Sequence, residues 1–267
     1  MNELRNKVAE WLKDKSIDLF IGYGKGTGDR VRALFITNPE DAEGLIFDEN
    51  CRQNLAVYLL KDEVRHAGKI GFHATGYALR AMMQQASEHQ FNDASIVALH
   101  ITADKQLMEF RDFKSIENYL EKADTGLTSE ERETVGKIRA MIKQERWNFW
   151  MNEFSRCFKC YACRAACPLC YCQRCTTDCN QPQWIPVASH EMGNLNWHIM
   201  RAMHLSGRCV NCGDCAEACP MDIPLNLLTY CLLDDIQKDF DFTAGMKSDA
   251  LYALSTFNPN DKEEFIR

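Results

Sequence analysis

An α/β unit followed by a mainly helical, cysteine-dense unit is the fold class that the sequence predicts. Three observations carry this expectation. Short β-branched and apolar runs alternate with amphipathic helical periodicity over residues 1–127. A capped stretch without proline follows, which reads as a long connecting helix over 128–155. Twelve of the 14 cysteines then fall between Cys157 and Cys219, a density that no ordinary core requires. With 267 residues, 46% apolar and 26% charged, the chain has the composition of a folded globular protein of one large or two medium domains.

The first helix places Leu4, Val8, Trp11 and Leu12 on one face. A strand is expected over 17–23 and a second over 31–37. Between them the glycines of GYGKGTGD alternate as G-x-G-x-G-x-G and lead into a strand rather than a helix, so they read as a hairpin turn and not as a dinucleotide-binding loop. After Asn38-Pro39, residues 50–60 are expected as a helix carrying Leu55, Tyr58 and Leu59 inward. Residues 69–73 form a short strand, Thr75 caps a helix to about residue 85, and 94–101 is a buried strand.

A further helix is expected over 113–123. Thr128 and Glu131 make a T-x-x-E capping box for a helix running to about residue 154. Trp147, Trp150, Met151 and Phe154 at its end are expected to form the seam between the N-terminal unit and the cysteine block. Residues 156–240 complete that block, with helical periodicity over 224–240 burying Cys231 among leucines. Cys51 likewise reads as a small buried side chain. Residues 241–267 are read as a helix and a tail, polar and mobile from Phe257.

Function classes narrow next. With 31 basic and 38 acidic residues the net charge is −7, which lacks the positive footprint of a nucleic-acid binder. No run of about 18 apolar residues occurs, so no transmembrane segment is expected, and the N-terminus lacks a signal-peptide core. The reading is a cytoplasmic chain, where dense cysteine points to metal ligation before disulfides. No Ser-His-Asp, HExxH or paired-carboxylate constellation stands out, and no catalytic residue is assigned.

The chemistry lies in one repeated motif. Cys157, Cys160, Cys163 and Cys167, followed by Pro168, fit C-x2-C-x2-C-x3-C-P, and so do Cys209, Cys212, Cys215 and Cys219, followed by Pro220. This is the run of bacterial ferredoxins that hold two clusters, in which the fourth cysteine ligates the other cluster. The second unit is therefore expected to be a bacterial-ferredoxin-like dicluster [4Fe–4S] domain. Cys157, Cys160, Cys163 and Cys219 are expected on one cluster, and Cys209, Cys212, Cys215 and Cys167 on the other. Paired zinc sites are the competing reading, but zinc rarely uses a third cysteine at the same step or the trailing proline.

Cys170, Cys172, Cys175 and Cys179 lie between the runs and suit a third [4Fe–4S] cluster or a zinc ion. Another partition gives Cys167, Cys170, Cys172 and Cys175 to one local site, and a third leaves some of these as free thiols. Arg156, Lys159, Arg164, Arg174, Arg201 and Arg208 lie in or beside the block with His190, His198 and His204. They read either as charge that raises cluster potentials or as solvated counter-charge. His198, Arg201 and His204 also suit a helix docking face.

RCFKCYACRAACPLCYCQRC, preceded by ERWNFWMNEF, resembles the cysteine region of the F420-dependent formate dehydrogenase and hydrogenase β-subunit family. It also resembles iron–sulfur subunits of heterodisulfide-reductase-like complexes, and HIMRAMHLSGRCVNCGDCAEACPMDIPL is similar to the second ferredoxin motif of those members. The resemblance implies an electron-transfer subunit of a multi-subunit anaerobic oxidoreductase, beside flavin, molybdenum or tungsten, or nickel–iron subunits. In the N-terminal half the family's K-G-C-D-x-R-A-like stretch corresponds to KIGFHATGYALRA at 69–81, where the cysteine and aspartate are absent. Asp104 stands where relatives carry cysteine, while Cys51 and Asn54 match the pattern. No flavin- or F420-binding residues are carried across. The alternative function is a catalytic subunit with a flavin or F420 site in the N-terminal unit, and a zinc-stapled scaffold is a third.

Overall fold

The computed structural model describes residues 1–92, 95–123, 127–177, 179 and 181–251. The N-terminal unit is a six-stranded mixed sheet between two helical layers. Helix α1 (Asn2–Lys13) leads into β1 (Leu19–Lys25), which forms an antiparallel hairpin with β2 (Val31–Ile36), Phe20 opposite Ile36 and Lys25 opposite Val31. The turn is the glycine-rich segment, closed by the Gly26 N–H on the Arg30 carbonyl at 2.7 Å with Gly28 at φ +64°. β3 (Leu45–Ile46) lies along Tyr23 and Gly24, and β4 (Ile70–His73) runs parallel to the start of β1. β5 (Ile96–Ile101) is parallel to β4, and β6 (Leu107–Phe110) closes the edge antiparallel to β5.

Alternation along the strands sorts the two faces. Phe20, Val97 and Leu99 pack with Leu4, Val8, Trp11 and Leu12 of α1. Leu19, Ile21, Tyr23, Ile70, Phe72, Ile96 and Ala98 face α3 (Gly76–Ser87) and α4 (Phe113–Leu120). Gly22 is required by close approach, because a Cβ there would lie 2.3 Å from Leu45 Cδ2. Thr75 caps α3 as expected, its hydroxyl accepting from the Ala78 N–H at 3.2 Å. The strand expected from residue 94 is described from 95 onward, Ala94 and the tail from Phe257 lying outside the described residues.

Three expectations are corrected. Residues 50–60 form only a 3-10 turn at Leu55–Tyr58, because tertiary partners take the groups a helix would use. Asn54 N–H is held by Asp214, and the Ala56 carbonyl accepts from Gln85 Nε2. The single helix over 128–155 is two, α5 (Ser129–Ala140) and α6 (Lys143–Ser155). Its break falls at extended Met141 and Ile142, where Glu145 reaches back to the Ile142 N–H at 3.2 Å and Arg139 is tethered to Asp234 and Asp235. The Thr128–Glu131 capping box forms as read.

The aromatic end of α6 is not the seam between units. Phe154 is buried with Trp197, Ile223 and Leu225 inside the cysteine block, and Trp147 is exposed. Beyond α10 (Leu225–Phe240) residues 241–251 form turns, and the remainder of the helix and tail expected over 241–267 lies outside the described residues. Asp241 ends α10 at φ +47°, and Arg80 holds the Ala244 carbonyl while the Gly245 N–H donates to Gln84. The sequence reading also missed β3, β6 and the short α2 (Asp62–Arg65).

The two units are joined by polar contacts from α3 and the 3-10 turn. Arg80 Nη1 donates to the Val210 carbonyl at 3.1 Å, and Gln85 Nε2 to Pro168 at 2.8 Å. Arg208 forms a fork on Glu88 with both bonds at 2.6 Å, and the Tyr171 hydroxyl donates to the same carboxylate. Burial favours the neutral acid, but Arg208 and its hydrogen bonds hold the Glu88 carboxyl below the usual range.

Truncating one partner of such a desolvated pair costs about 2–5 kcal/mol. Glu88→Ala is therefore expected to lower the denaturant midpoint accordingly, whereas a change within about 0.5 kcal/mol is the result for a surface pair. The folded-state pKa is depressed, so this contribution is present above the unfolded glutamate pKa and lost as pH falls through the folded value. The difference between wild type and variant should shrink in acid.

Candidate cysteine centre

The two cysteine runs fold into equivalent loops. Lys159 and Tyr161, two and four residues past Cys157, are left-handed at φ +59°, and Asn211 and Gly213 occupy the same offsets past Cys209 at φ +65° and +79°. Each loop then enters one helical turn at the same offset, α7 (Ala162–Ala165) and α9 (Asp214–Glu217). The Lys159 N–H donates to Cys157 Sγ and the Asn211 N–H to Cys209 Sγ, both at 3.4 Å. A left-handed non-glycine residue costs roughly 1–2 kcal/mol, and three of these four positions carry it. Strain of this kind persists where the surroundings over-determine it, as at functional sites.

Electrostatic influence shows which thiols are neighbours. Burial raises the Cys157 thiol most, the Lys159 N–H opposes, and Cys160 and Cys219 add to the rise. Cys163 is raised by burial, lowered by Arg201, and raised again by Cys157, Cys160 and Cys219. In the other loop, burial raises Cys209 against the Asn211 N–H, with Cys167 adding. Cys212 responds to burial, Asp214, Cys167 and Cys209. Cys215 is pushed up to about 12 by burial, against Arg201, with Cys167 and Cys209 adding. The fourth cysteine of each run thus acts on thiols of the other run.

The four intervening cysteines are less gathered. Cys170 shares a hydrogen bond with Cys167, which lowers Cys167. Cys170, Cys172 and Cys175 line one cavity of about 400 Å³ with Arg164, Arg201, Arg208 and His204. Cys179 is exposed and does not line it. Cys51 is buried in the N-terminal core, and half-buried Cys231 borders an apolar groove beside α10.

The basic side chains divide by task. Arg201 on α8 (Glu191–Leu205) reaches the thiols, Arg208 is engaged by Glu88, and Arg156 donates to the Met221 carbonyl. Lys159 holds the Pro186 carbonyl. His190 accepts from the Gly193 N–H as the cap of α8, and His198 stacks on Phe154 at 4.5 Å. Burial, then Arg201 and Lys159, hold His198 neutral with a pKa near 4. Arg80, Asn54 and Asn194 escaped the sequence reading as supports of this site, since their partners are 37 to 160 residues away.

The donor set fits an iron–sulfur cluster. Arg201 Nε and the side-chain amide of Asn211 are buried without hydrogen-bond partners among the described residues, and sulfide or thiolate would serve as acceptors for their N–H groups. Among the described residues no three His, Cys, Asp or Glu side chains converge on the spacing of a single metal ion. Burial raises the thiols of Cys157, Cys163, Cys209, Cys212 and Cys215, so ligation at these positions would release protons.

These features define a class: an α/β unit carrying a cysteine-rich block of twin loops, with a donor set consistent with iron–sulfur ligation. The chain is related to the F420-dependent formate dehydrogenase β subunits. It is 36% identical over 98 residues to the F420-dependent formate dehydrogenase subunit beta of Methanocaldococcus jannaschii, covering 36% of this chain and 25% of that one. It is 30% identical over 105 residues to the F420-dependent formate dehydrogenase 1 subunit beta of Methanococcus maripaludis, covering 39% and 26%. The chain therefore spans about a quarter of the length of these relatives. No protein-family model matches it. Among the described residues no helix is long and apolar enough to cross a membrane.

Asn194 is the main polar support of the first loop, its Nδ2 donating to the carbonyls of Phe154 at 2.9 Å and Cys157 at 2.7 Å. Each buried group left unsatisfied costs about 1–3 kcal/mol. Asn194→Ala should lower thermal stability and reduce metal content. Unchanged metal content at unchanged stability would show that the loop is held without it.

Proposed function

We propose that this chain is an iron–sulfur electron-transfer subunit that relays single electrons between redox partners in a multi-subunit oxidoreductase complex of the formate dehydrogenase, hydrogenase or heterodisulfide-reductase-like kind. The observation that carries the reading is the crossed pairing of twin loops, Cys219 beside Cys157 and Cys163, and Cys167 beside Cys209, Cys212 and Cys215. Cys157, Cys160, Cys163 and Cys219 would hold one [4Fe–4S] cluster, and Cys167, Cys209, Cys212 and Cys215 the other. Such clusters, when bound, supply one-electron chemistry without proton transfer.

The chain's own residues do the rest. The left-handed turns and the two 3.4 Å N–H contacts to sulfur set the loops before metal arrives. Cys160 is exposed, giving the first centre an edge toward solvent or a partner. The second centre backs onto the N-terminal unit, where Arg80 lies in the field of Cys209 and Cys212, and Asn54 N–H donates to Asp214 at 2.7 Å. Cys170, Cys172 and Cys175, with Cys179 nearby in sequence, would serve a third cluster or a zinc ion. The N-terminal unit then acts as the platform on which the relay is mounted.

Anaerobically prepared protein should be brown, contain about eight irons per chain, or about twelve with a third cluster, and give an electron paramagnetic resonance signal after dithionite reduction. Cys163→Ser should deplete one cluster, and Cys231→Ser should leave iron content unchanged. A colourless zinc protein would refute the reading. Flavin released by acid would instead support a catalytic N-terminal unit.

A further inference from the structure

Three buried cations accompany the cysteine loops, and they are not equivalent. The Lys159 ammonium is spent on the Pro186 carbonyl and lies in the field of Cys157, on the first quartet alone. Arg80 donates to the carbonyls of Ala244 and Val210 and lies in the field of Cys209 and Cys212 of the second quartet. Arg201 donates to the Cys163 carbonyl of one quartet and lies in the field of Cys167 and Cys215 of the other, of Cys170 and of Cys163 itself.

We propose that Arg201 is the positioning residue of the electron relay, a fixed positive charge shared by the two cysteine quartets that raises the reduction potentials of both clusters together. This inference rests on the cluster reading above. Arg201 is 5% exposed, and its Nη2 donates to the Cys163 carbonyl at 3.2 Å. Nε finds no acceptor, and no carboxylate pairs with the guanidinium among the described residues. Burying an ion costs several kcal/mol unless a counter-charge compensates, and the thiols in whose field Arg201 lies would supply one as thiolate ligands of a cluster.

Reduction adds one electron to a cluster and makes it one charge more negative, with no bond formed or broken and no proton moved. A cation nearby stabilises the reduced form, and low dielectric around a buried site strengthens the effect. Because Arg201 touches the fields of both quartets, its removal should lower both potentials, not one.

The test is a dithionite titration of the anaerobic holoprotein, followed by electron paramagnetic resonance and paired with iron analysis. Wild type, Arg201→Gln, Arg201→Met and Arg201→Lys are compared. In the neutral variants the reduced-to-oxidised ratio at a fixed ambient potential should fall about tenfold for both clusters, a shift of ~59 mV for a one-electron couple. Arg201→Lys should recover most of it. Iron-replete neutral variants with unchanged potentials would overturn the proposal, as would a shift confined to one cluster. Loss of iron from both neutral variants would overturn it in favour of a purely structural residue. Wild type without iron would sink the cluster reading itself, a distinct result.

Discussion

The convergence of sulfurs from two stretches of chain more than 40 residues apart is the constraint on which the C-terminal half depends. In the proposed assignment each loop supplies three cysteines locally and the fourth comes from the end of the other run, in whose field it lies. On that assignment neither loop completes its donor set alone. The segment between them, including α8, must therefore return the chain to the right place, and Asn194 and Arg201 on that helix both hold carbonyls of the first loop, at Cys157 and Cys163. A core of Phe154, Trp197, Ile223 and Leu225 backs the arrangement. Metal-binding free energy is folding free energy in a site of this kind.

The N-terminal sheet is tied to this centre by polar contacts rather than by the aromatic end of α6. Arg80 and Gln85 of α3 and Glu88 just past its end each reach a residue within or beside a cysteine run. Leu169, Leu205 and Val210 fill the apolar spaces between those contacts. Asp214, lifted to about 6 chiefly by burial, accepts the Asn54 N–H and so joins the start of α9 to the 3-10 turn. A relay of the kind proposed would be held by these contacts at a fixed distance from the sheet.

Local signals were legible in the sequence, and long-range ones were not. The hairpin glycines, the Thr75 and Thr128 caps, and the period of α1 act within a few residues, and each formed as read. α10 formed too, but Cys231 on it is half-buried rather than buried among leucines. Cys51 is buried as read. The helix over 50–60 failed because Asp214 and Gln85, far away in sequence, capture its backbone groups. The break in the 128–155 helix depends on Arg139 meeting Asp234 and Asp235 across space. At the cysteine centre, spacing made the twin loops legible. The supporting residues Arg80 and Asn194 were not, since nothing near them in sequence announces their partners.

Anomalous scattering at the iron edge from anaerobically grown crystals tests the central claim most directly. The account predicts two iron cubanes, one ligated by Cys157, Cys160, Cys163 and Cys219, the other by Cys209, Cys212, Cys215 and Cys167. Scattering that placed all four cysteines of a single run on one metal group, or a signal at the zinc edge in place of iron, would contradict it.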